Sequence, residues 1–361
     1  RPESAPERYP TIEQGELDGP RYLRGMCSLR WSVASLLAVS VAAVAMLATA
    51  KPAAASVTWN LPATTISADG SSVVMEQPKI AIAPDGSATA VWWSSADGKI
   101  QAATRPAGSS SWSAASTVAT GLQTTGSTPA APQIAIAPDG TTTVIWVYDD
   151  GSNPTTIQSS TRSASGGAFG PPSEVGGSGQ SAGGSSPRIA ADPTGRMVVV
   201  WRCNAELCVS TRAVNGTWGA ISQPSNSAAS ATARNPALAV DPVTGDVTVV
   251  WFRRASPNYR VQANTKTASG TFSSGAIVDL TTDVNTSMID APGVAVSGTG
   301  VVTAIWALAG NVRSRTLSAG TWSPLDTLWT ANPAGRGPSV AVAPDGTTIA
   351  GWRVDASATY Q

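Results

Sequence analysis

The polar residues best suited to chemistry in this sequence recur at one point of a repeated pattern, just before or at the start of a strand. They are Glu76, Lys79, Gln133, Arg188, Arg234, Asp290 and Arg336. If these strands surround one axis, Arg188, Arg234 and Arg336 converge and could together hold a carboxylate, a sulfate or a phosphate. The plainer interpretation is that these are ordinary solvated charges on a rim, and the sequence alone leaves both open.

Catalytic chemistry is more restricted. The 361-residue chain contains no histidine, which excludes Ser-His-Asp and Cys-His catalysis and removes the commonest metal ligand. Glu76 and Asp290 are the leading pair for acid/base work, as in glycoside hydrolysis. We assign no catalytic residue, no metal site and no cofactor, and whether the protein is an enzyme stays open.

Six copies of one unit position these residues. Each copy has a proline, an alternating Ile/Val/Ala strand, a turn that contains glycine, and a tryptophan six residues after that glycine. The pairs are Gly86 and Trp92, Gly140 and Trp146, Gly195 and Trp201, Gly245 and Trp251, Gly300 and Trp306, and Gly346 and Trp352. A period of about 50 residues with strand patterning predicts an all-β fold, a β-propeller with one blade per copy.

The first complete copy shows how a unit becomes a blade. Residues 78–83 alternate as a strand, 84–86 form a Pro-Asp-Gly turn, 87–93 and 99–105 are further strands, and 111–119 contain a fourth. The turn aspartates Asp85, Asp139 and Asp345 could suggest a metal or catalytic ring, but aspartate is typical of such turns because it bonds its own backbone. We interpret the repeat tryptophans as large side chains that fill the space between blades.

The two ends of the chain complement each other. Residues 57–62 resemble an outer strand with no blade before it, and the last copy, 338–361, lacks a fourth strand. The N-terminal strand can therefore complete the last blade and leave no unpaired edge. We predict a six-bladed propeller of four-stranded antiparallel blades over residues 56–361, with seven or more blades if the chain is a fragment.

The N-terminal region has the features of an export signal. Met26 and Arg30 precede an apolar run at 31–50 and small residues at 53–55, which predicts a signal peptide over 26–55 or, alternatively, an uncleaved membrane anchor. Residues 1–25 look like an upstream or non-native leader. In an extracellular or cell-envelope protein, Cys203 and Cys208 are expected to form a disulfide.

The charge pattern limits the partners. Lys and Arg number 23, Asp and Glu also number 23, and no basic run occurs. This balance argues against nucleic acid and against an anionic membrane surface, so membrane contact is expected only through an uncleaved signal segment.

The Pro-Asp-Gly turns at 84–86, 138–140 and 344–346, each followed by a strand that ends in tryptophan, resemble bacterial propeller repeats of the PD40 and sialidase-like kinds. The resemblance covers residues 56–361 and implies architecture rather than chemistry. The sialidase Asp-box places tryptophan three residues after its glycine, whereas the spacing here is six, and Phe252-Arg253-Arg254 does not replace the Arg-Ile-Pro motif.

Together these features favour an exported binding or interaction module that recognises a glycan or envelope component at the channel mouth. One alternative is a glycoside hydrolase or lyase of sialidase-like type. Another is a scaffold that binds an extracellular protein and has no small-molecule site. The variable connections between repeats favour binding, because recognition sites are commonly carried by loops on a rigid fold.

Overall fold

The computed structural model describes residues 64–67, 75–94, 98–122, 132–149, 155–177, 186–214, 216–226, 231–255, 258–281, 290–330, 334–343, 345–354 and 359–360. The chain divides into two units, Arg1–Pro62 and Ala63–Gln361, and every described residue belongs to the second. The leader at 1–25, the signal segment at 26–55 and the strand expected at 57–62 lie outside the described residues. Within the described ranges, no helix has the length and apolar content needed to cross a bilayer.

Six antiparallel sheets follow one another along the described chain. The first contains β1 (Met75–Ile82), β2 (Ala88–Ser94), β3 (Lys99–Arg105) and β4 (Ser116–Ala119). The second contains β5 (Gln133–Ile136), β6 (Thr142–Tyr148), β7 (Thr156–Arg162) and β8 (Ser173–Glu174). The third contains β9 (Arg188–Ala191), β10 (Met197–Cys203) and β11 (Glu206–Arg212).

The fourth sheet contains β12 (Ala231–Val240), β13 (Val247–Ala255), β14 (Asn258–Lys266) and β15 (Val278–Asp279), with a short 3-10 helix at Ser274–Ala276. The fifth contains β16 (Gly293–Val296), β17 (Val302–Leu308) and β18 (Asn311–Ser318), and both β19 (Thr321–Trp322) and β20 (Asp326–Trp329) pair with β18. The sixth contains β21 (Gly335–Val342), β22 (Thr348–Val354) and β23 (Thr359–Tyr360).

The predicted all-β class and the four-stranded antiparallel sheet are confirmed in the first, second and fourth units. The third unit differs at its outer edge. There, single bridges join Val209 to Ser222 and Arg212 to Trp218 in place of a regular fourth strand.

The strand register is the same in all six sheets. In each, the residue after the repeat proline pairs with the residue before the repeat tryptophan. The pairs are Lys79 with Val91, Gln133 with Ile145, Arg188 with Val200, Ala237 with Val250, Gly293 with Ile305, and Ser339 with Gly351. Since side chains alternate across a strand, equal register puts equivalent side chains on equivalent faces.

The turn between the first two strands of a sheet depends on its aspartate and glycine. In the first sheet, Asp85 Oδ1 accepts a hydrogen bond from the backbone N–H of Ser87 at 2.8 Å, and Gly86 has φ +85°, a conformation that costs glycine no steric energy. Asp139 and Asp345 each accept a backbone N–H two residues onward at 2.8 Å. These contacts agree with a role in turn formation.

The sheets pack face to face in chain order through the repeat tryptophans. Trp146 packs against Val91 and Trp93 of the preceding sheet, and Trp306 packs against Val250 and Phe252 in the same way. The innermost strands contact each other in the same order, β1 with β5, β5 with β9, β9 with β12, β12 with β16, and β16 with β21. Full burial of one such ring contributes roughly 2–3 kcal/mol.

The first and last sheets differ from the others. Trp92 is covered by Ile66, Trp112 and Ala115, and Trp352 is only half-buried. Among the described side chains of these two sheets, three large apolar ones are exposed, namely Ile80 (59%), Ile82 (67%) and Ile349 (71%). The first and last sheets therefore present apolar surface to solvent.

Candidate binding site at the starts of the inner strands

The predicted binding residues fall into two registers at the starts of the inner strands. Lys79, Gln133 and Arg188 lie opposite the residue that precedes the repeat tryptophan. Glu76, Arg234 and Arg336 lie opposite the residue that follows it. Asp290 lies in the loop that leads into β16.

The three longest inner strands contain a bulge between these two registers. In β1, β12 and β21 the pairing shifts between Glu76 and Lys79, between Arg234 and Ala237, and between Arg336 and Ser339. Asn235 and Gly337 have positive φ values of 51° and 56° within the last two bulges. A bulge bends the strand locally and changes the direction of the flanking side chains, so it affects how Arg234 and Arg336 point.

Asp290 joins the fifth and sixth sheets. Its Oδ2 accepts a hydrogen bond from the N–H of Gly337 at 2.8 Å. This bond holds the loop before β16 against the bulge of β21, immediately beside Arg336. The structure therefore brings two of the predicted residues to the same place, and one of them has a clear positioning role there.

The other predicted residues differ in their surroundings. Arg188 is half-buried, and its Nη1 donates to the carbonyl oxygen of Pro187 at 3.0 Å. Burial lowers the pKa of its guanidinium below the ordinary value. Gln133 is half-buried and Lys79 is exposed, while the side chain of Glu76 lies outside the described part of the structure.

Arg202 is a further arginine at this end that sequence reasoning missed. It lies on β10 directly after Trp201, and its Nε donates to the carbonyl oxygen of Asn204 at 3.0 Å. Burial lowers the pKa of Arg202, and the positive charge of Arg234 on the neighbouring sheet lowers it further. In the fourth and sixth sheets, the residue after the repeat tryptophan lies opposite Arg234 and Arg336. Arg202 occupies that position in the third sheet, and this is the signal that could have identified it.

The disulfide predicted between Cys203 and Cys208 is confirmed, with the two Cα atoms 5.7 Å apart. It joins β10 to β11 across the turn next to Arg202. Both cysteines are buried. The bond restrains the end of the strand from which Arg202 projects.

We use the term cationic rim for Lys79, Arg188, Arg202, Arg234 and Arg336. Arg202 and Arg234 come from different sheets, on strands β10 and β12, which contact each other. The pKa of Arg202 is lowered mainly by burial and also by the positive charge of Arg234. Such a pair attracts an anion, and arginine can bind carboxylate, sulfate or phosphate oxygens through paired N–H groups. In the described ranges, His, Cys, Asp and Glu side chains form no group of three or more that could hold a metal ion.

Comparison with known proteins adds information on the fold. No protein-family model matches the sequence, and no curated protein matches it. The NanB sialidase from Streptococcus pneumoniae has a similar structure, with a TM-score of 0.51 and 8% identity over 79% of this chain and 66% of the enzyme. This chain thus spans just under two thirds of that protein.

The intramolecular trans-sialidase from Ruminococcus gnavus is also similar, with a TM-score of 0.51 and 10% identity over 78% of this chain and 90% of that one. At such identities the likeness shows the fold alone. The architecture of this chain is therefore similar to that of sialidase β-propellers.

Proposed function

We propose that this protein is an exported, six-bladed β-propeller that binds an anionic glycan or envelope component at the cationic rim. The observation that carries the proposal is that β12, the strand of Arg234, contacts both β9, which begins with Arg188, and β10, which contains Arg202. Like charges held together are unfavourable unless an anion neutralises them. The ligand class is therefore a sugar or polymer that bears carboxylate, sulfate or phosphate groups.

We favour binding over the hydrolase alternative. Glycoside hydrolysis uses two carboxyl groups at a defined separation. Of the two candidates, Asp290 is hydrogen-bonded to the backbone of Gly337, which suits a positioning residue. The protein-scaffold alternative predicts no glycan ligand at all, so a binding experiment separates it from our proposal.

A glycan array tests the rim. We expect the purified chain to bind sialylated, sulfated or phosphorylated glycans, with affinity that falls as salt rises. The double substitution Arg202→Gln and Arg234→Gln should weaken binding at least tenfold, since charge-assisted hydrogen bonds are the strong ones. Arg105→Gln is the matched control, because Arg105 ends β3 and donates to Ser109. No hit with the unmodified protein would favour the scaffold, and hits that survive the double substitution would dismiss the rim.

Closure of the ring is the architectural part of the proposal. Ile80 and Ile82 occupy the positions that Ile134 and Ile136 hold in the second sheet, where Ile134 packs against the first sheet. In a closed ring, Ile80 and Ile82 would meet the sixth sheet, where Ile349 is exposed. This one contact would bury all three exposed isoleucines, which supports closure between the first and last sheets.

Disulfide trapping tests this contact. A Cβ atom at Gly293 would lie 3.4 Å from Val340 Cγ1 of the next sheet, and the equivalent pair across the closure is Ser339 with Ile80. We therefore expect Ser339→Cys and Ile80→Cys to crosslink within one molecule under mild oxidation. The control pair, Ile80→Cys with Val243→Cys, should stay unlinked. Failure of the first pair to crosslink would argue for an open arc or for additional blades.

Export is the cellular part of the proposal. The Cys203–Cys208 disulfide is of a kind that persists in oxidising compartments. Expression of the full chain with its N-terminal segment should release a protein whose first residue is near Ser56, as read by N-terminal sequencing. Retention in the membrane fraction would instead support the uncleaved anchor.

A further inference from the structure

A cavity of ≈ 540 Å³ lies between the first and second sheets, at the end opposite the cationic rim. The turns after β1 and β5 form its lip with Asp85 and Asp139, and Thr89, Thr104 and Arg162 line its interior. Its volume is within the roughly 300–1,000 Å³ of small-molecule sites in proteins.

Arg162 is held rigidly in this cavity. Its Nη1 donates to Thr104 Oγ1 at 2.5 Å and its Nη2 donates to Thr89 Oγ1 at 2.9 Å, both on the first sheet. The guanidinium carbon also lies 5.2 Å from the centre of the Phe169 ring. A cation fixed on three sides is a preorganised donor, because little side-chain entropy is lost when a ligand binds.

The equivalent cations between later sheets have different surroundings. Arg212, at the same register on the third sheet, is buried, and the charge of Asp139 acts on it. Burial and the charge of Arg196 lower the pKa of Lys266 on the fourth sheet, and the charges of Asp192 and Asp246 partly oppose them. For Arg162, burial alone lowers the pKa. This arginine thus combines an open cavity with hydroxyl partners on the neighbouring sheet.

The lining indicates the ligand class. Asp85 and Asp139 supply acceptors at the lip, Arg162 supplies donors, and serine and threonine hydroxyls such as Ser113 can do both. An anion would be repelled at the lip by two carboxylates, and a cation would be repelled by Arg162. Neutral hydroxyl groups can both donate and accept, so a hydroxyl-rich molecule satisfies the whole lining. Apolar residues such as Ile136 can contact its C–H faces.

We propose that the cavity between the first and second sheets is a second binding site, for a neutral polyhydroxylated ligand such as a mono- or disaccharide unit. It is separate from the cationic rim in place and in ligand charge. The protein would then contact a glycan at both ends, with anionic groups at one end and neutral sugar units at the other.

Titration calorimetry of the full chain tests this site with a panel of neutral sugars: glucose, mannose, galactose, N-acetylglucosamine, maltose, cellobiose and lactose. We expect at least one member to bind. Ala164→Phe, which places a ring in the cavity, should reduce its affinity at least tenfold and leave binding of anionic glycans unchanged. Asp85→Asn combined with Asp139→Asn should also weaken sugar binding at least tenfold, because the variant lacks the charged acceptors. Asparagine can still accept the turn hydrogen bond, so the turns should be retained.

Asp345→Asn is the matched control, since Asp345 makes the same 2.8 Å turn hydrogen bond on the sixth sheet and does not line the cavity. It should leave neutral-sugar affinity unchanged, and thermal unfolding should show that all variants fold. Absence of binding by every panel member would overturn the proposal, as would equal affinity in the Ala164→Phe protein. Neither result would bear on the cationic rim, which is tested with anionic glycans.

Discussion

Arg212 joins the third sheet to the second, and its replacement gives a sharp test of how the sheets adhere. The side chain is only 6% exposed, and its Nη1 donates to Thr143 Oγ1 at 2.9 Å and to Thr161 Oγ1. Two hydrogen bonds from a charged donor contribute about 1.5–3 kcal/mol each. Burial of the guanidinium costs several kcal/mol in the opposite direction, so the net loss on removal should be smaller than their sum.

The chain already contains the substituted arrangement. In the fifth sheet, Leu317 occupies the register of Arg212, and the facing hydroxyls of Thr248 and Thr265 bond each other at 3.0 Å. The Oγ1 atoms of Thr143 and Thr161 are 3.2 Å apart and can hydrogen-bond each other in the same way. We therefore expect Arg212→Leu to lower the free energy of unfolding by only about 1–2 kcal/mol.

The opposite change should be worse. Thr143→Val with Thr161→Val keeps the buried cation and removes its acceptors, which should cost about 3–5 kcal/mol. Adding Arg212→Leu to this pair should restore about 1–2 kcal/mol of the loss, with a coupling free energy of about 3 kcal/mol. Urea unfolding followed by tryptophan fluorescence measures all four proteins. Additive effects, or a threonine pair that costs less than Arg212→Leu, would refute the proposed link between the sheets.

Three further predictions concern a turn aspartate, the disulfide and two of the repeat tryptophans. Burial raises the pKa of Asp192, but hydrogen bonds from the next residues of its turn outweigh burial and hold the pKa below its usual value. Because the folded pKa is the lower one, the stabilisation from the Asp192 carboxylate is present above the unfolded pKa of about 4 and is lost as pH falls through the folded pKa. Asp192→Asn should flatten this acid limb of stability in pH-dependent urea unfolding. Replacing Cys203 and Cys208 by alanine should lower the free energy of unfolding by about 2 kcal/mol, as expected for a short disulfide loop. The same urea assay, run without reductant, measures this loss. Trp306→Ala should cost about 3–5 kcal/mol and Trp352→Ala clearly less by thermal unfolding, because only the first ring is fully buried.

Much of the fold follows from local chemistry that is legible in the sequence. The Pro-Asp-Gly turns require an aspartate that bonds its own backbone and a glycine at positive φ, and both are found at Asp85 and Gly86. Strand alternation and the spacing from glycine to tryptophan then determine the register. The outer strands were harder to predict, since β8 has only two residues, Ser173–Glu174, and exposed polar segments have little periodicity.

The candidate site depends on contacts between units, and these are less visible in sequence. Arg202 was missed because β10 and β12, the strands of Arg202 and Arg234, meet only through the stacking of two sheets. The hydrogen bond from Gly337 to Asp290 spans 47 positions, and no local pattern predicts it. The cavity beside Arg162 likewise depends on how two neighbouring turns are spaced. Repetition predicts where equivalent side chains lie, but not which of them meet across an interface.

Among the described residues, strand pairing stays within contiguous stretches of chain. Such local topology lets hydrogen bonding within a sheet begin as soon as its own residues emerge during synthesis or translocation. A nascent chain halted after Arg212 would already contain every strand of three sheets. Assembly would then proceed from the N-terminus as a stepwise docking of preformed sheets, each new tryptophan capping the apolar face left by its predecessor.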